Sequence, residues 1–208
     1  MGSALEPAAP APGWSLEDLA PDMIPLVAQA CSDVHPAALI ALSTTCSYMR
    51  LQLMPLLAGV DMRGFTALMF ACEKGYARYA YALVEAGAEI NRSDAEGWTA
   101  LMLACELGHD QCARALIDAG AALDVRNDSG TTPLMYAALH ANVLCLRALL
   151  GAGANVNMAR RDGWTALIAA GAKGDGRCIH ALIEAGAAID AQTDVGATLL
   201  TYCACASL

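Results

Sequence analysis

Five glycines, at positions 64, 97, 130, 163 and 196, each stand 33 residues from the next, with no insertion or deletion between them. Each opens a similar phrase. Gly97-Trp98-Thr99-Ala100-Leu101 is nearly repeated as Gly163-Trp164-Thr165-Ala166-Leu167, and weaker copies begin at Gly64, Gly130 and Gly196. A strict period of this size specifies a stacked array, because each unit leaves an apolar face that only a neighbouring unit can cover. The 208 residues therefore need not obey the size scaling of a conventional globular domain.

Within each unit the order of signals is the same. Gly permits a tight turn, and the Thr two residues on can accept a hydrogen bond from a first-turn N–H, so a short helix is predicted at Thr66 to Glu73, Thr99 to Glu106, Thr132 to Leu139 and Thr165 to Ala172. Pro133 falls at a first helical position, where its missing N–H costs nothing. Gly75, Gly108 and Gly174 suit a left-handed cap, and Ala141 occupies the same place in the third unit at the cost of some strain. A second helix follows, such as Asp110 to Ala119, with Ala113, Leu116 and Ile117 turned into the stack. Ala-Gly-Ala and a short alternating segment then lead along a hairpin-like finger to the next Gly. The expected fold is an all-α solenoid with such fingers, in units 61–93, 94–126, 127–159 and 160–192 and a truncated fifth at 193–208.

Ahead of the array, residues 1–14 are rich in Ala and Pro and read as a disordered tail. Residues 15–60 read as a helical segment. One helix is capped at Asp22 and stops before Pro36; a longer one runs from Pro36 to about Leu53, with Ala38, Leu39, Leu42, Cys46, Met49 and Leu53 three or four apart. They would cap the open face of the first unit or belong to a separate helical region.

A net charge of -9 and only twelve scattered Lys and Arg argue against a nucleic-acid surface. No secretory signal or membrane-spanning stretch is predicted. Of nine cysteines, Cys72 and Cys105 are 33 apart, as are Cys112, Cys145 and Cys178; Ala138 and Tyr79 fill the same places in other units. Small buried residues between helices explain this better than zinc or disulfides, and a reducing compartment, cytoplasmic or also nuclear, follows. The histidines, His35, His109, His140 and His180, form no catalytic constellation. Neither enzyme activity nor a metal or cofactor is expected.

The turn, the Thr-Ala/Pro-Leu phrase and the Gly-Ala before Asn or Asp resemble the ankyrin repeat family, over residues 61–208. The family's His is replaced by Met69, Met102, Met135 and Ile168, so its side-chain bond to the turn is expected to be missing. The resemblance implies a protein partner on a concave face made by the fingers and the exposed ends of the short helices. Those positions are Arg63, Phe65, Glu73 and Lys74; Glu96, Trp98, Glu106 and Leu107; Ser129, Thr131, Leu139 and His140; and Asp162, Trp164, Ala172 and Lys173. Trp98 and Trp164 are the expected anchors, as large aromatics dominate interface energetics, with Tyr136 and Phe65 behind them. Trp98 is read as the position its repeat requires least, although a Trp there can also pack along the finger.

Three further expectations rest on resemblance. Asn91, at the end of Leu83 to Asn91, is similar to ankyrin asparagines that an oxygen-dependent enzyme hydroxylates; a structural Asn bonding the turn is the alternative. Cys31 to Leu39 and Cys46 to Leu53 resemble the segment preceding the repeats in ankyrin-repeat and BTB/POZ proteins. That implies an adaptor or scaffold, linked to a cullin-3 ubiquitin ligase and oligomerising through regions absent from this sequence. Cys205 to Leu208 fits a lipidation box on paper, but Cys205 is also a short-helix position, and a repeat cut after its first helix is the better account. Leu199, Leu200 and Tyr202 would then be partly uncovered and their helix would fray.

Overall fold

The computed structural model describes residues 64–85 and 87–206, with the side chains of 204–206 left aside. The expected tail at 1–14 and helical segment at 15–60, with its two proposed helices, lie outside the described residues.

The array is built from helix pairs. They are α1 (Ala67–Lys74) with α2 (Ala77–Glu85), α3 (Ala100–Leu107) with α4 (Asp110–Asp118), α5 (Pro133–Leu139) with α6 (Val143–Gly151), and α7 (Ala166–Lys173) with α8 (Gly176–Glu184), followed by α9 (Leu199–Ala206). The first helices stack on one another as an inner layer, α1, α3, α5, α7 and α9; the second helices form an outer layer, α2, α4, α6 and α8. Helices of seven to nine residues would not persist alone in water, so this mutual packing is what holds them.

Each short helix starts one residue later than the sequence suggests, because the Thr is its N-cap. The hydroxyls of Thr66, Thr99, Thr132 and Thr165 accept the N–H three residues on, at 3.1 to 3.4 Å. The loss of the family's His is not complete: in the first repeat the Met69 sulfur takes the Thr66 N–H at 3.4 Å, closing a capping box. Gly75, Gly108 and Gly174 are left-handed caps, with φ between 74° and 77°. Ala141 is forced to φ 60° in the same role, the one non-glycine at positive φ among the described residues.

Leu68, Leu101, Leu134 and Leu167 repeat at 33-residue intervals and are essentially sealed, as are Met69 and Met102 beside them. Their counterpart in the fifth repeat, Leu200, is 74% exposed. Leu199 departs from expectation: it is buried, because its side chain lies against Gly171 of α7, where a Cβ would come within 2.5 Å of Leu199 Cδ1.

The fingers repeat one backbone bond. Asp94, Asn127, Arg160 and Thr193 each donate an N–H to the carbonyl four residues on, at 2.8 to 3.2 Å. Antiparallel bridges form at Ser93 with Thr99 and Ala159 with Thr165, enough for a narrow ribbon but not a sheet.

Candidate functional site

Two rows of side chains run across the repeats at the predicted positions. The first is at the C-terminal end of the inner helices, where the left-handed cap turns the chain away and leaves the last helical positions outside the stack. Lys74, Leu107, His140 and Lys173 are all exposed there, and Leu107 is 49% exposed. Just before them, Glu73, Glu106 and Ala172 are partly exposed, and Leu139 exposed. Glu73 pairs with Lys74 at 2.7 Å, and Lys74 Nζ also sits 5.6 Å from the centre of the Phe70 ring. His140 Nε2 lies 3.9 Å from the Glu106 carboxylate, reaching from the third repeat to the second. Open pairs of this kind contribute little to stability, so these side chains are available to a ligand.

The second row, on the fingers, consists of Phe65, Trp98, Thr131 and Trp164, flanked by Glu96, Ser129 and Asp162; Arg63 lies outside the described residues. These aromatic residues are committed to the stack. The Trp98 N–H is held by the Asp94 carboxylate at 2.8 Å, and the indole stacks on Tyr136 of the next repeat, 4.6 Å between centroids and 29° apart. Trp164 also meets an aromatic ring of the next repeat, Tyr202, but tilted rather than stacked, 5.2 Å between centroids and 55° apart, with the Arg160 guanidinium 5.9 Å from its ring and bonded to Asp162 at 2.7 Å. The reading of Trp98 as the position its repeat requires least is therefore corrected. Half-buried between two repeats, it fastens them together. Tyr136 is also a correction as an exposed contact: it is 9% exposed and its hydroxyl accepts from Asn127 Nδ2 at 2.8 Å. Asn127 Oδ1 in turn takes the Ser129 hydroxyl and the Thr131 N–H, at 2.7 and 3.0 Å. Burial pushes the Tyr136 phenol up from its ordinary pKa, against the lowering effect of these bonds. Phe65 is half-buried and packed on the core.

Asn91 is exposed, and its Oδ1 accepts the Ala122 N–H of the next repeat at 2.8 Å. Asp124 does the same for Asn155 N–H at 3.0 Å and Asn157 for Ala188 N–H at 2.8 Å. A side-chain oxygen at every 33rd residue thus bridges successive turns, which is the structural alternative for Asn91.

A second ladder escaped the sequence reading. His109 Nε2 lies 3.2 Å from the Glu73 carbonyl, and Asn142 Nδ2 donates to the carbonyls of Cys105 and Glu106, both at 2.8 Å. Both residues occupy one repeat position, at the foot of an outer helix, and tie it to the end of the preceding inner helix. The 33-residue spacing of two dissimilar polar residues was the available signal, and their shared task shows only in three dimensions.

Cys72, Cys105, Cys112, Cys145 and Cys178 form no disulfide and are sealed between helices, as expected of small packing residues. Hydrogen bonding to Cys112 and then burial hold Cys72 well above the ordinary thiol pKa; Cys145 and burial do the same to Cys105. Burial, then the Asp175 carboxylate, push Cys178 up to about 12. Such thiols are poor nucleophiles. Among the described residues no group of three His, Cys, Asp or Glu could hold a metal ion, and no helix is long and apolar enough to cross a membrane.

Comparison with known families agrees with this geometry. A three-copy ankyrin-repeat profile matches residues 81–160, a many-copy profile matches 140–183, and a single ankyrin repeat matches 63–95. No curated protein matches the chain. The matched families are protein-binding modules rather than enzymes. The three profiles together run from residue 63 to 183, more than half of the sequence, and with the stacked helix pairs they establish that this chain belongs to the ankyrin-repeat family and is a protein–protein interaction module.

Proposed function

We propose that the array recruits a protein partner along the exposed ends of the inner helices, the concave face in the family's usual arrangement. The observation that carries this is Leu107. It is a large apolar side chain left open in a row with Lys74, His140 and Lys173, at a place where the stack uses none of the four for its core. An apolar contact rimmed by charged groups suits a specific but reversible protein interface. Capture of cellular proteins by the wild-type chain, beside a Leu107→Ser/His140→Ala/Lys173→Ala variant of equal stability, tests it. Loss of a specific partner from the variant is the expected result, and retention of every partner rejects the face.

On the resemblance of Cys31 to Leu39 and Cys46 to Leu53, we further propose that the array serves an adaptor of the BTB/POZ type in the cytoplasm or nucleus, bringing a client to a cullin-3 ligase. Oligomerisation would then come from regions outside this sequence. Co-precipitation of cullin-3 with the full-length protein from cells tests this separately; its absence removes the adaptor reading and leaves the binding face standing.

A further inference from the structure

The second and third repeats are tied together at four levels. In the fingers, the Asp128 N–H donates to the Glu96 carbonyl at 3.1 Å. Beneath them Trp98 stacks on Tyr136. Asn142 reaches the carbonyls of Cys105 and Glu106. Between layers the Cys105 and Cys145 thiols share a hydrogen bond, and Cys145 Sγ lies 3.8 Å from the Ala104 carbonyl.

Moving each tie along by 33 residues gives the junction between the third and fourth repeats, and among the described residues none of the four is made there. The Arg161 N–H makes no bond to the Ser129 carbonyl. Thr131 and Ala169 stand where the aromatic pair would be. Asp175 replaces Asn142, and a carboxylate has no proton to give the carbonyls of Ala138 and Leu139. It turns instead to its own helix, accepting the Arg177 N–H at 3.1 Å and pairing with the guanidinium at 3.2 Å. Ala138 replaces Cys105, so the Cys178 thiol contacts Asp175 at 3.5 Å. The fingers also stand further apart. A Cβ placed on Gly130 would lie 3.8 Å from Arg160 Cα, whereas on Gly97 it would be 2.9 Å from Asn127 Cα, and on Gly163 2.6 Å from the Gln192 carbonyl.

What holds this junction is the inner layer, the short Ala159–Thr165 bridge within the connecting finger, and one turn. Helices α5 and α7 pack closely through small buried residues, among them Ala138 and Ala170, and Asn157 bonds the Ala188 N–H and, at 3.2 Å, the Gly186 carbonyl. The outer helices α6 and α8 pack less extensively than α2 with α4 or α4 with α6. A joint fastened in its middle layer and loose on both sides is a pivot, since rotation about it breaks few contacts.

We infer that the junction between the third and fourth repeats is a hinge, about which α7–α9 rotates against α1–α6 and changes the curvature of the array. His140 and Lys173 lie on opposite sides of it, so the rotation alters the spacing of the exposed row. The inference rests on the stack and does not depend on what the row binds.

Hydrogen exchange on the intact chain, for wild type, Asp175→Asn and Asn142→Asp, tests it. In wild type the amides of α7 and α8 are expected to open together in a step that leaves α3, α4 and α6 protected, with a break between α6 and α8 rather than a gradual decline. Asp175→Asn supplies the missing amide and should slow exchange in α7 and α8 by about 2–10-fold, the range of one net hydrogen bond, without changing α3. Asn142→Asp should remove the equivalent tie and speed exchange of α6 by a similar factor. Equal protection of α4 and α8 in wild type, a smooth gradient toward α9, or unchanged α7 and α8 exchange in Asp175→Asn overturns the hinge. If Asp175→Asn does not fold, Asn142→Asp decides by itself, and an unaltered α6 counts against it.

Discussion

The indole of Trp98 lies face to face with the phenol ring of Tyr136 in the next repeat, 4.6 Å away, while the Tyr136 hydroxyl is held by Asn127. Removing the indole uncovers apolar surface on both repeats, and an aromatic pair adds about 0.5–1.5 kcal/mol beyond area. Trp98→Ala is expected to lower stability by about 2 kcal/mol, less than a fully buried Trp would cost. Tyr136→Phe, which keeps the ring and strands the Asn127 amide, should cost about 1 kcal/mol. Urea denaturation of each variant checks both values; a neutral Trp98→Ala would mean that the stack contributes nothing.

Ala141 takes a left-handed φ of 60° where the first, second and fourth repeats have glycine. Ala141→Gly relieves that strain and should raise stability by about 1 kcal/mol despite the greater freedom of the unfolded chain. The converse change, Gly75→Ala, would place a Cβ 2.6 Å from His109 Nδ1 at φ 74° and should be destabilising. Melting temperatures of the two variants must move in opposite directions.

Asn91 offers only its oxygen to the Ala122 N–H. Asn91→Asp keeps an acceptor, as Asp124 does in the next repeat, and should be nearly neutral. Asn91→Ala should cost about 0.5–1.5 kcal/mol, toward the low end because the site is exposed. Chemical denaturation distinguishes the pair, and equal losses in both would remove the bridging role.

Cys178 sets a pH dependence. Unfolded, its thiol releases a proton near 9.0; folded, it keeps it until about 12. Above pH 9 the unfolded state therefore binds fewer protons, and stability falls as pH rises from 9 toward 12. Below 9 this contribution is fully present and flat. Cys178→Ala should reduce the slope of stability against pH in that window, measured by urea unfolding at a series of pH values. An unchanged slope would contradict the assignment.

The period and its glycines made the fold legible. Gly97, Thr99 and Leu101 each act through their own backbone or their own helix, so turn, cap and core position could be read from neighbours in sequence, and Pro133 marked a helix start in the same local way. The exposed row at Lys74, Leu107, His140 and Lys173 was also readable, because it is what remains once the repeat's own needs are subtracted. The task of Trp98 was not readable: its partner, Tyr136, is 38 residues away, and a half-buried indole has the same local sequence whether it faces a ligand or a neighbouring repeat.

The sequence by itself determined a chain of stacked helix pairs, where each short helix begins to within one residue, and that the cysteines recurring at 33-residue intervals are packing residues. Only the tertiary structure decided how firmly successive pairs are joined. His109 and Asn142 can donate to a carbonyl 36 residues back, whereas Asp175 cannot, and that difference acquires its meaning only when stacking brings each residue to the end of the preceding inner helix. Local propensity is carried by bonds within one turn of chain, but the strength of each junction is set by contacts that exist only between repeats.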